Sequence, residues 1–324
     1  MARVARIEQY GGPEVIQWVD IDLPDPAEGE VRIRTTAVGL NFIEIYQRTG
    51  LYPLPLPSGL GSESVGVIEA VGPGVTEFAI GDRVGTFGPV IGSYATHRNL
   101  PAASLIKLPD SVDDQTAAAI LLKGGTTEFL IERCAKVEAG QTVLLHAAAG
   151  GVGHLAVGWL KAIGATVIGT VGSPEKAERA RRAGADHVIE YKNEDIVARV
   201  REITGGEGVP VVLDGTGKAT WDASLKSVAR RGMIVSYGNA SGPVTGVNLG
   251  SLSANGSLFV TRPTMFHYYA TREESAAGFA RVFEMLAKGA IKPEIGQTFA
   301  LEDAAEGHRR LEAGESEGAS ILLP

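Results

Sequence analysis

The sequence Val143-Leu144-Leu145-His146-Ala147-Ala148-Ala149-Gly150-Gly151-Val152-Gly153 decides the fold of this chain. Its first three residues are typical of a buried strand, and the glycines that follow match the dinucleotide-binding fingerprint, with Ala148 in place of the first glycine. Glycines let the backbone turn tightly and approach a pyrophosphate, and the following helix directs free N–H groups toward that anion. The stretch therefore predicts a strand, a phosphate-binding loop and a helix. Close packing of a helix on a strand is the alternative explanation of its glycines.

Strands alternate with helices from residue 123 onward. Ser173 is a good N-cap, Pro174 occupies the first helical position, and Gly184 stands where a helix-ending residue is expected. Because parallel strands need crossovers of helical length, the alternation predicts an α/β fold with a Rossmann doubly wound parallel sheet. The predicted strands are 142–146, 166–171, 188–189, 211–213, 233–236 and 258–260, and the predicted helices include 152–163 and 174–183.

Residues 1–122 have a different sequence pattern, in which short β-type runs are separated by Gly, Pro and Asp. Residues 52–59 are predicted to form a loop, because four of these eight residues are Pro or Gly. Thr271 and Glu274 have capping-box spacing, which predicts a helix from there to about residue 288. We therefore predict a β-rich domain of residues 1–122 with 263–324, and a dinucleotide-binding domain of residues 123–262.

The composition argues against several classes of protein. The 324 residues carry a net charge of −8, and no run of Lys or Arg forms a stripe for nucleic acid. No uninterrupted apolar stretch reaches the roughly 20 residues that a bilayer requires. Cys134 is the only cysteine, and the six histidines lack the grouping of a metal site. We expect a cytoplasmic protein that binds neither nucleic acid, membrane nor metal.

The end of the second strand of the predicted sheet indicates which dinucleotide is bound. An NAD-selective site places Asp or Glu there to bond the ribose 2′-hydroxyl, whereas this strand ends in Thr170-Val171-Gly172-Ser173. Lys176 lies in the first turn of the next helix, where its cation can contact a 2′-phosphate. These residues predict NADPH. The alternatives are that Lys176 is a surface lysine and that Ser173 is only a helix cap.

Motifs along the whole chain carry a family resemblance. They are Gly11-Gly12-Pro13-Glu14-Val15, Gly39-Leu40-Asn41-Phe42, Gly50-Leu51-Tyr52-Pro53, Gly61-Ser62-Glu63, the fingerprint, Gly238-Asn239 and Val260-Thr261-Arg262-Pro263. With them the chain resembles the zinc-free quinone oxidoreductases, the ζ-crystallin-like NADPH:quinone reductases, of the medium-chain dehydrogenase/reductase superfamily. The resemblance implies that the β-rich domain is a GroES-like catalytic domain. It also implies a homodimer, for which the edge strand at 258–260 is the candidate contact.

The resemblance further implies a set of site residues. Asn41, Tyr46 and Tyr52 are expected around the nicotinamide and the substrate as catalytic residues, and packing alone is the alternative for both tyrosines. Turns that contain Thr216 and Gly238 either line the cofactor or are ordinary strand–helix loops. The implied cofactor-binding residues are Asn41, Phe129, Gly150, Gly151, Val152, Gly153, Gly172, Ser173, Lys176, Tyr191, Thr216, Gly238, Asn239, Thr261, Arg262 and Pro263.

Two metal ligands of the related zinc alcohol dehydrogenases are replaced here. Asn41 matches the region of their catalytic cysteine, and Gly61-Ser62-Glu63 matches their Gly-His-Glu. Without a Lewis acid, the chemistry shifts toward quinones or α,β-unsaturated carbonyls, which accept a hydride readily. The expected function is zinc-independent, NADPH-dependent quinone reduction in the interdomain cleft. The alternatives are an NADPH-dependent alkenal or enone reductase and a non-catalytic NADPH-binding redox sensor.

Overall fold

The structure is a computed structural model that describes residues 1–316 and 318–324. Its strands are β1 (Ala2–Ile7), β2 (Gln17–Ile21), β3 (Glu30–Leu40), β4 (Ser58–Gly59), β5 (Glu63–Val71), β6 (Arg83–Phe87), β7 (His97–Pro101), β8 (Leu105–Lys107), β9 (Thr142–Leu145), β10 (Thr166–Val171), β11 (His187–Glu190), β12 (Val209–Asp214), β13 (Val228–Ser236), β14 (Phe259–Thr261), β15 (Ile295–Ala300) and β16 (Ala319–Leu323). Its α-helices are α1 (Phe42–Arg48), α2 (Asp114–Glu128), α3 (Gly151–Ala162), α4 (Pro174–Arg182), α5 (Ile196–Ile203), α6 (Trp221–Ser227), α7 (Leu249–Ala254), α8 (Met265–Tyr268), α9 (Arg272–Ala287) and α10 (Ala304–Glu312).

One compact unit consists of Gly124–Ala270 and Ala280–Lys292. Its six-stranded sheet has the order β11-β10-β9-β12-β13-β14, and all of its strand pairs are parallel. The order reverses between β9 and β12, which is the Rossmann arrangement. Fully buried Leu144, Ile168, Val212 and Ile234 belong to the core cluster of this unit. The prediction of a doubly wound parallel sheet is confirmed.

The other compact unit consists of Met1–Lys123, Thr271–Phe279 and Pro293–Pro324. Its larger sheet has the order β15-β16-β3-β5-β6-β8, with β7 also paired to β3, and β2-β1-β4 form a smaller sheet. Long β3 has apolar residues on alternate positions, and Val31 and Ile33 are fully buried with Ile68, Val84 and Leu100. This alternation places one face of the sheet on the core, as expected for a β-rich domain.

The observed division differs from the predicted domain boundaries after residue 262. We predicted that 263–324 return whole to the first domain, but residues up to Ala270 pack in the second unit. The Tyr269 hydroxyl donates to Glu128 Oε2 at 2.7 Å, and the ring of Tyr268 stacks on Phe129. Helix α9 is itself shared between the units, and its second part is held in the second unit by contact of Arg281 with Glu132.

The predicted helix ends agree with the structure to within one or two residues. Helices predicted at 152–163 and 174–183 occur at Gly151–Ala162 and Pro174–Arg182. The Thr271 capping box forms, because the Thr271 hydroxyl accepts from the Glu274 N–H at 3.2 Å while the Glu274 carboxylate accepts from the Thr271 N–H at 3.0 Å. The strand predicted at 258–260 lies one residue later, at Phe259–Thr261. None of the described helices is long and apolar enough to cross a membrane.

Candidate functional site

The fingerprint sequence forms a tight turn between β9 and α3. Ala147 has a left-handed backbone with φ of 55°, and its carbonyl accepts from the Gly150 N–H at 2.9 Å. Gly150 is the N-cap of α3, so the first N–H groups of the helix face outward at this turn. These free donors and the positive end of the helix dipole together suit a phosphate.

Glycine is required at the third position of the fingerprint for steric reasons. A Cβ at Gly153 would lie 2.2 Å from the Ala147 carbonyl oxygen and 2.9 Å from the Ala148 Cα. Both distances are far shorter than a van der Waals contact. The close approach of the helix to its strand thus depends on the missing side chain, as in other dinucleotide-binding loops.

The ends of β10 and β11 place a second group of predicted residues together. The Ser173 hydroxyl accepts from the Lys176 N–H at 3.3 Å, so Ser173 is a helix cap as well as a candidate ligand residue. A Cβ at Gly172 would lie 2.5 Å from the Tyr191 hydroxyl oxygen, so Gly172 leaves the room that this hydroxyl occupies. Tyr191 is 48% exposed, which leaves its ring accessible to a ligand.

The loops after β12 and β13 also approach each other closely. A Cβ at Gly238 would lie 2.1 Å from the Gly215 carbonyl oxygen. The Arg262 guanidinium, which follows β14, donates to the carbonyls of Ser236 at 2.7 Å and Gly238 at 3.2 Å. Asn239 follows in the same loop and is partly exposed. Thr261 and Pro263, which flank Arg262, are also partly exposed.

A buried network supports the loop that contains Thr216. The Asp214 carboxylate accepts from the N–H groups of Thr216 at 2.9 Å and Gly217 at 3.0 Å. The Ser224 hydroxyl donates to Asp214 at 2.8 Å and lies 3.1 Å from His146 Nε2. Burial lowers the pKa of His146, which keeps its ring neutral at physiological pH. Our sequence reasoning missed the supporting role of Asp214, although an aspartate that ends a buried strand before Gly-Thr-Gly is a visible signal.

Phe129 occupies the first position of a π-helical turn, Phe129–Cys134, that continues α2. Its ring is 2% exposed and stacks on Tyr268 with centroids 5.0 Å apart. The Arg133 guanidinium, from the same turn, lies 4.9 Å from the centroid of the Tyr269 ring. Single π-helical turns are frequent at functional sites because they redirect a few side chains without ending the helix.

The carboxyl ends of parallel strands meet at one edge of the sheet, and the predicted positions from Gly150 to Pro263 follow the ends of β9 to β14. A Cβ at Gly153, Gly172 or Gly238 would overlap another atom of the protein, so these glycines permit the close packing of the loops at this edge. Lys176 provides a cation near the N-terminus of α4, and no carboxylate ends β10. These residues fit a dinucleotide bound across the edge, which is where open α/β sheets bind ligands.

The three predicted catalytic residues lie in the other unit, around α1. Asn41 is the N-cap of the helix, Tyr46 lies on it, and Tyr52 follows it. The rings of Tyr46 and Tyr52 have centroids 5.1 Å apart in an edge-to-face arrangement, and the Tyr52 N–H donates to the Tyr46 carbonyl at 2.9 Å. The structure therefore brings both tyrosines together, with Tyr46 buried and Tyr52 half-buried.

Asn41 belongs to a buried polar network that our sequence reasoning did not identify. Its Nδ2 donates to Glu63 Oε2 at 3.0 Å, and Lys123 Nζ donates to its Oδ1 at 2.7 Å. The Glu44 carboxylate accepts from the N–H groups of Asn41 at 2.7 Å and Ser62 at 3.0 Å. Burial raises the pKa of Glu63, and burial raises that of Glu44 from 4.5 to about 7.

Sequence signals for this network do exist. Asn41 and Glu44 have capping-box spacing. Lys123 directly follows the apolar run at 117–122, where a lysine that continues the helix is expected to be buried. In residues 1–316 and 318–324, His, Cys, Asp and Glu side chains form no group of three or more that could hold a metal ion.

Comparisons with known proteins agree with both units. The model of the alcohol dehydrogenase GroES-like domain matches residues 27–110, and the model of the zinc-binding dehydrogenase domain matches residues 151–286. A quinone oxidoreductase of Pseudomonas aeruginosa is 50% identical, with 100% of each chain covered. A crystal structure of Escherichia coli quinone oxidoreductase in complex with NADPH has a TM-score of 0.97 at 45% identity, and the match covers 99% of this chain and 100% of that one.

A 2-haloacrylate reductase from Burkholderia is 42% identical, over 100% of this chain and 99% of the relative. Similarity at this level over the full length, together with matches in both units, establishes the family that the motifs predict. The chain belongs to the zinc-free quinone oxidoreductase branch of the medium-chain dehydrogenase/reductase superfamily.

Proposed function

We propose that this chain is an NADPH-dependent quinone oxidoreductase that works without zinc and reduces its acceptor in the interdomain cleft. The observation that carries the proposal is the turn at the carboxyl edge of the parallel sheet, where Gly150 is the N-cap of α3 and the N–H groups that begin the helix suit a pyrophosphate. Relatives that are quinone oxidoreductases, one of them bound to NADPH, support the same function.

We assign each part of the cofactor to residues at this edge. The pyrophosphate is held by Gly150, Gly151, Val152 and Gly153 at the start of α3. The adenosine 2′-phosphate is held by Gly172, Ser173, Lys176 and Tyr191, since a lysine beside a helix N-terminus attracts phosphate. The nicotinamide end is lined by Asn41, Phe129, Thr216, Gly238, Asn239, Thr261, Arg262 and Pro263. When bound, NADPH supplies the hydride that reduces the acceptor.

Hydrogen-bond donors take the place of a metal in this proposal. The Asn41 amide oxygen already accepts from Lys123 Nζ at 2.7 Å, and a bound ammonium repels a second cation from the same oxygen. The Asn41 nitrogen and the hydroxyl of Tyr46 or Tyr52 are then the groups that orient and polarise an acceptor carbonyl. Quinones need no stronger activation, because they accept a hydride readily.

Reduction of an activated carbon–carbon double bond is the second candidate function. It is favoured by the 2-haloacrylate reductase that is 42% identical to this chain. In such a substrate the hydride goes to the β-carbon and a tyrosine or water protonates the α-carbon. Quinone reduction remains our first proposal because the relatives with higher identity are quinone oxidoreductases.

The test is NADPH oxidation, followed by the loss of its ultraviolet absorbance, with p-benzoquinone, phenanthrenequinone, hexenal and chloroacrylate as acceptors. We expect rapid oxidation with the quinones and slower oxidation with NADH in place of NADPH. Activity confined to hexenal or chloroacrylate would establish the double-bond reductase instead. Tight NADPH binding without oxidation by any acceptor would establish a redox sensor.

We also propose that the enzyme is a cytoplasmic homodimer. Strand β14 is the edge of the parallel sheet, and its Phe259 and Val260 are 58% and 38% exposed. An uncovered edge with exposed apolar side chains favours pairing with a second copy across a two-fold axis. The cytoplasmic location is supported by the single cysteine, since secreted proteins commonly contain disulfides.

A further inference from the structure

The Asn41 amide lies between a buried cation and a buried anion. Its Nδ2 donates to Glu63 Oε2 at 3.0 Å, and its Oδ1 accepts from Lys123 Nζ at 2.7 Å. An ammonium only donates and an ionised carboxylate only accepts, so the amide satisfies both neighbours in a single orientation. With the amide turned over, donor would face donor and acceptor would face acceptor. The two charges therefore determine which way the amide points.

Glu63 is itself held firmly. Its side chain is fully buried, and its Oε1 accepts from the Leu122 N–H at 2.7 Å. Gly39 leaves the space that the carboxylate occupies, because a Cβ there would lie 1.9 Å from Glu63 Oε2. The carboxylate therefore cannot swing away from Asn41 without losing these contacts.

Stability alone does not account for this arrangement. Taking two charges out of water offsets most of their attraction, so a buried ion pair contributes little compared with well-packed apolar residues. Burial raises the pKa of Glu63, which is the sign of that cost. What the two charges provide beyond stability is a fixed hydrogen-bonding direction at Asn41.

We propose that Lys123 and Glu63 are positioning residues, which present the second N–H of Asn41 Nδ2 to the carbonyl oxygen of the acceptor. The inference rests on the proposed function. Nδ2 carries two hydrogens, of which Glu63 takes one. The ammonium on Oδ1 polarises the amide and makes the remaining N–H a stronger donor. The same geometry suits the carbonyl of a quinone or of an enone.

The test compares Lys123→Met with a neutral double variant, Lys123→Met with Glu63→Gln. The matched control is Arg98→Met, because Arg98 is also 7% exposed and donates to Ser93 Oγ at 2.7 Å and the Val90 carbonyl at 3.1 Å. The measurements are the unfolding midpoint, the Kd for NADPH, and kcat and KM with phenanthrenequinone. Lys123→Gln, which keeps an uncharged donor, is used if Lys123→Met does not fold.

We expect Lys123→Met to lower kcat by about 10- to 100-fold, the range found when a partner that orients a metal-binding side chain is removed. The Kd for NADPH stays close to that of the wild type. The double variant recovers stability relative to Lys123→Met, because it lacks the Glu63 charge that Lys123 balanced, but it does not recover kcat, because the amide no longer has a fixed direction. Arg98→Met loses stability and keeps its kcat.

Three results would overturn the positioning role. They are a wild-type kcat in Lys123→Met, a kcat that returns together with stability in the double variant, and a crystal structure of the double variant in which the Asn41 amide still lies 3.0 Å from the side chain at position 63. The crystal structure needs no activity. If wild-type protein does not oxidise NADPH with quinones, the proposed function fails, and the crystal structure of the double variant still tests whether the two charges orient Asn41.

Discussion

At the scale of single residues, the unusual feature is a pair of buried carboxylates beside one buried lysine. Glu44 and Glu63 are both fully buried, and Lys123 is 7% exposed. Burial raises the pKa of both carboxyls, to about 7 for Glu44. Glu44 therefore binds a proton in the folded state more tightly than in the unfolded chain, where its pKa is that of an exposed glutamate.

This shift predicts how stability depends on pH. Between the unfolded pKa and the folded pKa, the folded state holds more protons, so the contribution of Glu44 to stability falls as pH rises through that window. We expect the stability of the wild type relative to Glu44→Gln to fall by about 2–3 kcal/mol between about pH 5 and about pH 8. Urea unfolding of both proteins at the two pH values measures this difference in the free energy of unfolding. A relative stability that rises with pH would contradict the shift.

Lys176 is the residue that should distinguish NADPH from NADH. It lies in the first turn of α4 and is partly exposed. We expect Lys176→Ala to weaken NADPH binding by about tenfold, the loss of one charge-assisted contact, and to leave NADH binding nearly unchanged. Titration with both nucleotides measures the two affinities, and Lys226→Ala, at an exposed position of α6, is the control. Equal loss for both nucleotides would mean that Lys176 does not contact the 2′-phosphate.

At the scale of elements, the bounds of a helix or strand could be predicted only where residues close in sequence encode them. Helices α3 and α4 and strand β10 were predicted to within two residues, because capping residues, glycines and apolar runs encode them directly. The π-helical turn after α2 was not predicted, because no local pattern encodes it. The Asn41 network was missed for a different reason. Its Lys123 contact joins residues 82 positions apart, on α2 and at the start of α1, which only the folded unit brings together.

The contact of α3 with the fingerprint loop predicts how two glycine substitutions in this helix differ in their effects. A Cβ at Gly153 would lie 2.2 Å from the Ala147 carbonyl, and a Cβ at Gly158 of the same helix would lie 2.3 Å from the Ala290 carbonyl. We expect Gly153→Ala and Gly158→Ala to lose similar stability, about 1–3 kcal/mol each, through overpacking. Only Gly153→Ala should also lose NADPH affinity, measured by titration calorimetry of the folded variants. Equal affinities would contradict the assigned phosphate site.

At the scale of the whole molecule, the exposed edge at β14 predicts the assembly. Phe259 is 58% exposed on that edge. We expect the wild type to be a dimer and Phe259→Glu to be a monomer, because a carboxylate in a paired edge repels its counterpart. Size-exclusion chromatography with light scattering gives the mass, and Ile80→Glu, at a residue 69% exposed in the other unit, is the control. A monomeric wild type, or a dimeric Phe259→Glu, would contradict the proposed interface.

The role of Asn41 in acceptor reduction is tested by kcat/KM for phenanthrenequinone at saturating NADPH, compared between the wild type and Asn41→Ala. The amide of Asn41 is buried and held by Glu63 and Lys123, and we assign it to the acceptor carbonyl. We predict that the wild type oxidises NADPH and that Asn41→Ala is slower by about 100-fold, as for loss of one donor to a reacting oxygen. A wild type that does not oxidise NADPH, or an Asn41→Ala variant with the same kcat/KM, would contradict it.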